Sequence, residues 1–355
     1  MFDVGINGFG TIGRRVATAI QRQKDMWIKG VASTSPSWKT QHAAMNLPFF
    51  ISLKKYGEND SENFQKSIDS FLNYGIKPKG TLFDLLDDVD LIVDATPKRV
   101  GQMNKEKVYS KKNHLHAIFQ GGENGEVARI TFNALVNYGS GIGEQFIRIP
   151  SCNTTAMLRY LKSLKDVAEI DRVFVNLIKR GADPADHRGG PINDYVPGEI
   201  PSHHTEDVIS VDPTWEGKLI THSVKVPVTL MHMHNVIATG DFPSRDKILE
   251  SFYDNPRMIV IGGHDGIPTA AEIFEANKRG DIQQIMILEK TLHLHNNTLM
   301  FSVYCHQEAD VIPENVDAIR ASLGFDDPLE SVSRTNKYLE LENTKKSLEK
   351  FFPVY

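Results

Sequence analysis

The sequence predicts an α/β protein of two domains, with a parallel sheet in the first and an α+β second domain built on a mostly antiparallel sheet. Three observations predict it. The first half alternates short β-branched runs with helical patterns, the grammar of parallel strands joined by crossover helices. The second half strings β-rich segments together with few helices between them, which suits antiparallel pairing covered on one face. The composition is that of a globular chain with material for two cores: 355 residues, 40% hydrophobic and 24% charged.

In the first half, strands are expected at residues 2–6, 27–32, 91–95, 115–119 and 146–149. Between the first two, residues 11–22 place Ile12, Val16, Ala19 and Ile20 on one helical face. Residues 56–80, broken by Gly57, Gly75, Pro78 and Gly80, read as a polar excursion that is helical around 64–72. The domain boundary falls near Pro150. Beyond it, strands are expected at 172–178, 220–226, 258–262, 285–290 and 298–304. A loop rich in Gly, Pro and His at 181–205 interrupts them, and loops of that length commonly carry function. Helices follow at 269–278 and 313–323, the second opening on Pro313 and stopping at Gly324. A last amphipathic stretch, 339–352, is expected to dock back onto the first domain. Residues 313–355 would then complete domain 1–150, leaving 151–312 as the second domain.

Composition also excludes. A net charge of −5 offers no electrostatic reason to bind nucleic acid or an anionic membrane. Two cysteines, Cys152 and Cys305, cannot build a disulfide framework or a four-cysteine zinc site. No apolar run approaches the roughly 18–20 residues that span a bilayer, and the N-terminus has no signal-peptide pattern. A soluble, cytoplasmic protein with small-molecule partners is expected.

Gly8, Gly10 and Gly13 form a G-x-G-x-x-G turn that directly follows a strand and opens a helix. That context turns a weak motif into a dinucleotide-binding, Rossmann-type signature. The first glycine permits the tight turn and the second lets backbone approach a pyrophosphate. The third allows close helix–strand packing. The bland alternative is a glycine turn that binds nothing.

Ser151-Cys152-Asn153-Thr154-Thr155 precedes an amphipathic helix marked by Met157, Leu158, Leu161 and Leu164. Ser151 as N-cap puts Cys152 at the helix start, where the dipole favours a thiolate and N–H groups can stabilise an oxyanion. Cys305, on an apolar strand, reads as a buried structural cysteine. A cysteine nucleophile needs a base, and spacing alone does not choose among His203, His204, His232 and His234. The pairs His232/His234 and His293/His295 could each be half a metal site. No carboxylate or cysteine at ligand spacing completes either, so no metal is expected.

This combination resembles the archaeal-type branch of the phosphorylating glyceraldehyde-3-phosphate dehydrogenase family. The likeness rests on INGFGTIGRRVA (6–17), FQGGE (119–123), SCNTT (151–155), RGADP (180–184), GPIN (190–193), IPSHH (200–204), TLMHMH (229–234) and HQEADVIPENVDAIRA (306–321). The resemblance implies Cys152 as nucleophile and His232 as base, with a Cys152 thiolate paired to an imidazolium. It implies that Ser151, Asn153, His204 and Thr205 contact a triose phosphate. It assigns Thr11, Ile12, Gly122, Arg180 and Gln307 to the cofactor. The implied reaction is the reversible oxidation of D-glyceraldehyde 3-phosphate to 1,3-bisphosphoglycerate with NAD or NADP and inorganic phosphate, in glycolysis or gluconeogenesis, by a homotetramer. Related acyl-phosphate reductases acting on semialdehydes, and a non-catalytic nucleotide-binding protein on the same fold, are the rival readings.

Cofactor choice has its own signal. An NAD-selective Rossmann domain usually ends its second strand with an acid about 20 residues past the glycines. This chain has Ser33-Thr34-Ser35 there, and Asp25 comes too early. Archaeal-type relatives often carry lysine where Ser33 stands. Lys39, Lys98 and Arg99 are candidate cations for a 2′-phosphate, so use of both cofactors with NADP preferred is expected.

Overall fold

The computed structural model describes residues 1–57, 59–120, 122–181, 193–264 and 266–354. Part of the 181–205 loop, including positions 182–184 of RGADP and 190–192 of GPIN, lies outside the described residues, as does Gly121 of FQGGE. The chain divides into two compact units, Met1–Pro150 with Ile312–Leu339, and Ser151–Val311 with Glu340–Tyr355.

The first unit holds an eight-stranded sheet in which every described pairing is parallel. Its order is Gly80–Thr81, Phe49–Ile51, Met26–Ser33, Phe2–Asn7, Leu91–Asp94, His116–Phe119, Phe146–Arg148 and Ile130–Thr131. Strands such as Leu91–Asp94 are buried at every residue, as a sheet covered on both faces requires. The short strands Phe49–Ile51, Gly80–Thr81 and Ile130–Thr131 escape sequence reading, because two or three residues show no periodicity.

Helix Ile312–Ser322 is buried along its whole length although it carries Glu314, Asn315, Asp317 and Arg320. Each finds a partner inside the unit. Ala134 N–H donates to Glu314 at 2.8 Å, and the Gln120 amide donates to Asn315. Ser331 and Thr335 hydroxyls donate to Asp317 at 2.7 and 2.6 Å. Arg320 donates to Asp25 at 2.8 and 3.0 Å and to Gln23 at 2.8 Å. Burial raises the Asp25 pKa, but the Arg320 bond and charge, with Arg334, outweigh it and hold the carboxyl below its usual range. A buried polar set so fully paired fixes where the helix sits.

The second unit has a seven-stranded sheet ordered Val196–Pro197, Leu219–Val226, Glu169–Arg180, His232–Asp241, Thr298–Cys305, Ile285–His295 and Met258–Ile261. The central pairings are antiparallel, while Leu219–Val226 on Glu169–Arg180 and Met258–Ile261 on Ile285–His295 are parallel. Helices Cys152–Lys165 and Arg245–Asp254 pack against each other and contact this sheet.

The last helix corrects one expectation. Leu341–Phe351 belongs to the second unit, not the first. Leu348 joins the core of Met231, Ile259, Ile261 and Ile273. Gln284 Nε2 donates to the Leu341 carbonyl at 2.9 Å, and Gly262 N–H donates to Phe352 O at 2.9 Å. A Cβ at Gly262 would lie 2.0 Å from Pro353 O, so only glycine admits this approach. Amphipathicity shows that a helix docks; it does not name the surface.

Candidate active site

In the first unit, residues 8–13 divide their labour. Gly8 has φ +97°, and a Cβ there would meet the Ala95 carbonyl carbon and oxygen at 2.7 Å. A Cβ on Gly13 would lie 1.9 Å from Gly8 O. These two glycines let the turn pack under helix Thr11–Arg22. Gly10 differs, because a Cβ there meets nothing within 4 Å. It N-caps the helix with no side-chain bond to the first-turn N–H groups. A helix N-terminus left uncapped beneath open space fits a diphosphate. Thr11 and Ile12, both half-buried, are the first residues of that helix. Gly122 stands at φ +75° with nothing near a Cβ.

The acids nearest to a cofactor role are already committed. Asp94 is fully buried and accepts from Thr96 N–H at 3.0 Å, the Thr96 hydroxyl, Asn104 at 2.8 Å and Tyr109 at 2.7 Å. Burial pushes its pKa up against those bonds. Asp25 is held by Arg320. At the end of strand Met26–Ser33, Ser37 caps helix Trp38–Asn46 by accepting from Thr40 N–H at 3.3 Å. The guanidinium of Arg14 and the ammonium of Lys39 lie 5.5 and 5.7 Å from the Trp38 ring centre. Arg14 was not singled out in the sequence; it sits three residues past Thr11, inside the motif's own helix. Lys98 and Arg99 are exposed.

In the second unit, Ser151 N-caps helix Cys152–Lys165, accepting from Thr154 N–H at 3.3 Å. Cys152, half-buried, is therefore the first helical residue, at the positive end of the dipole. The four histidines separate once their nitrogens are followed. His203 is exposed. His204 Nδ1 lies 3.2 Å from Ser151 Oγ and 3.3 Å from Thr154 Oγ1, and its buried Nε2 has no protein partner. His234 Nε2 bonds Asn153 Oδ1 at 3.0 Å and its Nδ1 lies 3.4 Å from Tyr160 OH, so both nitrogens are occupied. His232 Nδ1 accepts from the Arg180 peptide N–H at 3.0 Å, which leaves Nε2 for chemistry.

That last bond corrects the imidazolium expected for His232. A nitrogen that accepts from N–H has no proton of its own, so the ring is neutral and carries its hydrogen on Nε2. The electrostatics agree: burial, Arg180, His234 and Lys179 hold His232 well below the usual imidazole range. Burial brings His234 down to about 3. Burial, His203, Lys179 and the other two imidazoles hold His204 well below its usual range.

Thr205 has a structural bond of its own. Its hydroxyl is committed to Thr221, at 2.9 Å from Oγ1 and accepting from N–H at 3.1 Å, and it ties helix His203–Val211 to strand Leu219–Val226. Gln307 is buried with neither amide atom bonded to protein, as a ligand-facing amide would be.

Sequence reading missed three features. Lys179 and Lys225 are cross-strand neighbours. Burial and Lys225 lower the Lys179 pKa, while the charge of Cys152 raises it. His203, His204 and Asp207 bring ligand atoms within 4.8 Å on one helical turn. Cys305 is the register partner of His232, and its sulfur lies within 4.8 Å of the Cys152 sulfur. Only the last pairing had a signal in the sequence, a second cysteine.

A parallel sheet with an open glycine turn, and a second unit presenting a helix-borne cysteine beside a neutral histidine, define a class: cysteine-dependent aldehyde oxidoreductases that use a dinucleotide. Comparison narrows the class. Residues 151–283 match the family model for the glyceraldehyde 3-phosphate dehydrogenase C-terminal domain. The chain is 38% identical over 347 residues to the glyceraldehyde-3-phosphate dehydrogenase of Methanocaldococcus jannaschii, covering 95% of this chain and 98% of that one. It is 39% identical to the proteins of that name from Methanothermus fervidus (95% and 98% covered) and Thermoplasma volcanium (96% and 99% covered). The chain belongs to the archaeal-type branch of the glyceraldehyde-3-phosphate dehydrogenase family.

Proposed function

We propose that this chain catalyses the reversible, phosphate-dependent oxidation of D-glyceraldehyde 3-phosphate to 1,3-bisphosphoglycerate with NAD(P), through a thioester on Cys152. The observation that carries it is Cys152 at a helix N-terminus, its sulfur within 4.8 Å of Cys305, whose register partner is neutral His232 with Nε2 open. The Cys152 thiolate attacks the aldehyde carbon, and the carbonyl oxygen becomes an alkoxide. His232 donates Nε2–H to that oxygen, the oxyanion role of a fixed donor. The bound nicotinamide supplies the hydride acceptor. Loss of hydride leaves a thioester without any proton passing to His232. Inorganic phosphate then attacks the acyl carbon, and the sulfur departs as thiolate. Lys179 and Lys225 hold phosphate dianions near the sulfur. Ser151, Asn153 and His204 contact the triose phosphate on this reading, with Asn153 held by His234.

Gly8, Gly10, Thr11, Ile12, Gly13 and Gly122 are the cofactor-binding backbone on this reading, and the family resemblance adds Arg180 and Gln307. NADP is preferred over NAD. No described acid at the end of the second strand opposes a 2′-phosphate, and Arg14 and Lys39 flank Trp38 there. The working form is a homotetramer in the cytoplasm. Ile220, Phe174, Ile237 and Met300 support an oligomer: they stand in register across four neighbouring strands, each 36–43% exposed. Such a row is apolar surface that a second copy would cover. Among the described residues, no helix is long and apolar enough to cross a membrane.

The test is a phosphate-dependent assay with glyceraldehyde 3-phosphate and each cofactor. Reduced cofactor should appear only when phosphate, aldehyde and cofactor are all present. Turnover of semialdehydes with none of glyceraldehyde 3-phosphate would overturn the reading.

A further inference from the structure

We propose that Cys305 is a resolving thiol for Cys152, converting peroxide attack on the catalytic sulfur into a reversible Cys152–Cys305 disulfide. The inference rests on the reading of Cys152 as nucleophile and adds a second reaction at that sulfur. Cys152 begins a helix, and Cys305 ends strand Thr298–Cys305, fully buried. Their sulfurs and an Asp310 carboxylate oxygen all lie within 4.8 Å of one another. The disulfide requires closing that gap to an S–S length of about 2.05 Å. The base of the pair is anchored, since Arg159, on the Cys152 helix, donates to the Asp310 backbone carbonyl at 2.6 Å.

The two cysteines have separate tasks because their surroundings differ. Burial, the Cys152 sulfur and the Asp310 carboxylate push the Cys305 thiol up, so it stays protonated and does not compete for aldehyde or peroxide. Cys152 is half-buried and meets the oxidant first. Its thiolate attacks one oxygen of hydrogen peroxide or an organic hydroperoxide. An S–O bond forms, the O–O bond breaks, and the departing oxygen takes a proton from water, leaving a sulfenic acid. Cys305 sulfur then attacks Cys152 sulfur. The S–S bond forms, the S–OH bond breaks, and the Cys305 proton passes by way of Asp310 to the leaving hydroxide as water. The two thiols have supplied the two electrons that the peroxide consumed. A dithiol reverses the step, whereas a sulfinic acid at Cys152 would not be reversed.

The full-length enzyme is treated with hydrogen peroxide, quenched with iodoacetamide and weighed intact, then digested without reductant. The expected product is about 2 Da lighter, with the peptides of Cys152 and Cys305 joined and activity restored by dithiothreitol. Cys305→Ala should turn over normally before treatment. After treatment it should carry a dimedone-reactive Cys152 that proceeds to sulfinic acid, with activity that dithiothreitol no longer restores. Sulfinic Cys152 beside an alkylated Cys305 in the wild type, with turnover lost, would overturn the pairing alone. A disulfide that forms while turnover persists would overturn both the proposal and the assignment of Cys152 as nucleophile. The wild-type mass decides even if the alanine variant folds poorly.

Discussion

The glycine turn of the first unit and the cysteine cluster of the second present their chemistry on different supports. The turn offers peptide groups, and what matters at Gly8, Gly10 and Gly13 is the side chain that is missing. The cluster offers sulfur and imidazole side chains from segments far apart in the chain: 151–153, 179–180, 204 and 232–234. A backbone site is contiguous, so it tolerates change at most side chains but not the addition of a Cβ. A side-chain site depends on register and on which nitrogen faces which neighbour. The two should therefore fail differently when broken.

The largest effect belongs to the cluster. Cys152→Ser should lower kcat by at least ~10⁴-fold while cofactor affinity, read by fluorescence titration, stays unchanged. Comparable activity in that variant would remove the cluster from the chemistry. His232→Ala should cost ~10²–10³ in kcat, the range for a lost oxyanion donor. Because His232 is neutral well below its usual range, kcat/KM of the wild type should show no inflection near pH 6.5 from this residue. An inflection there that vanishes in His232→Ala would restore the imidazolium.

The turn sharpens the contrast through two glycines three residues apart. Gly13→Ala forces helix and turn apart and should lose about 1–3 kcal/mol in denaturant unfolding, along with cofactor binding. Gly10→Ala meets nothing in the protein, so stability should hold while KM for the cofactor rises. Equal stability in both variants would show that the turn is not packed as described.

A pH titration tests the cluster's neutrality without mutating the chemistry. The folded-state pKa values of His204, His232 and His234 lie below the ordinary 6.5, so the unfolded chain takes up protons first as pH falls. Stability should be complete above about 6.5 and decline on acidification, each site contributing up to about 1.4 kcal/mol per pH unit. For His234 the decline ends near 3, where the folded imidazole itself protonates. The melting temperature followed across that window should fall, and His234→Gln should flatten the slope. The smallest effect is on the surface of the first unit. Replacing Lys98 and Arg99 with Ala should lower kcat/KM for NADP but not for NAD, and Arg14→Ala with Lys39→Ala should do so more strongly. A preference for NAD untouched by either pair would end the NADP reading.

Legibility follows the same divide. The sequence by itself determined the glycine turn, the alternation that makes a parallel sheet, the helix start at Ser151–Cys152 and the switch to a second kind of sheet. Each of these is a local pattern, set by backbone freedom, capping or periodicity within a few residues. Tertiary structure alone decided which histidine nitrogens stay open, Nε2 of His232 and of His204 but neither of His234, because that depends on the Arg180 peptide meeting His232 and on Asn153 meeting His234 across the fold. It decided that Leu341–Phe351 joins the second unit, since an apolar stripe fits any apolar groove until a glycine such as Gly262 admits one backbone. It also set Cys305 against Cys152. Strand register and helix position, which no local pattern encodes, bring those sulfurs within 4.8 Å.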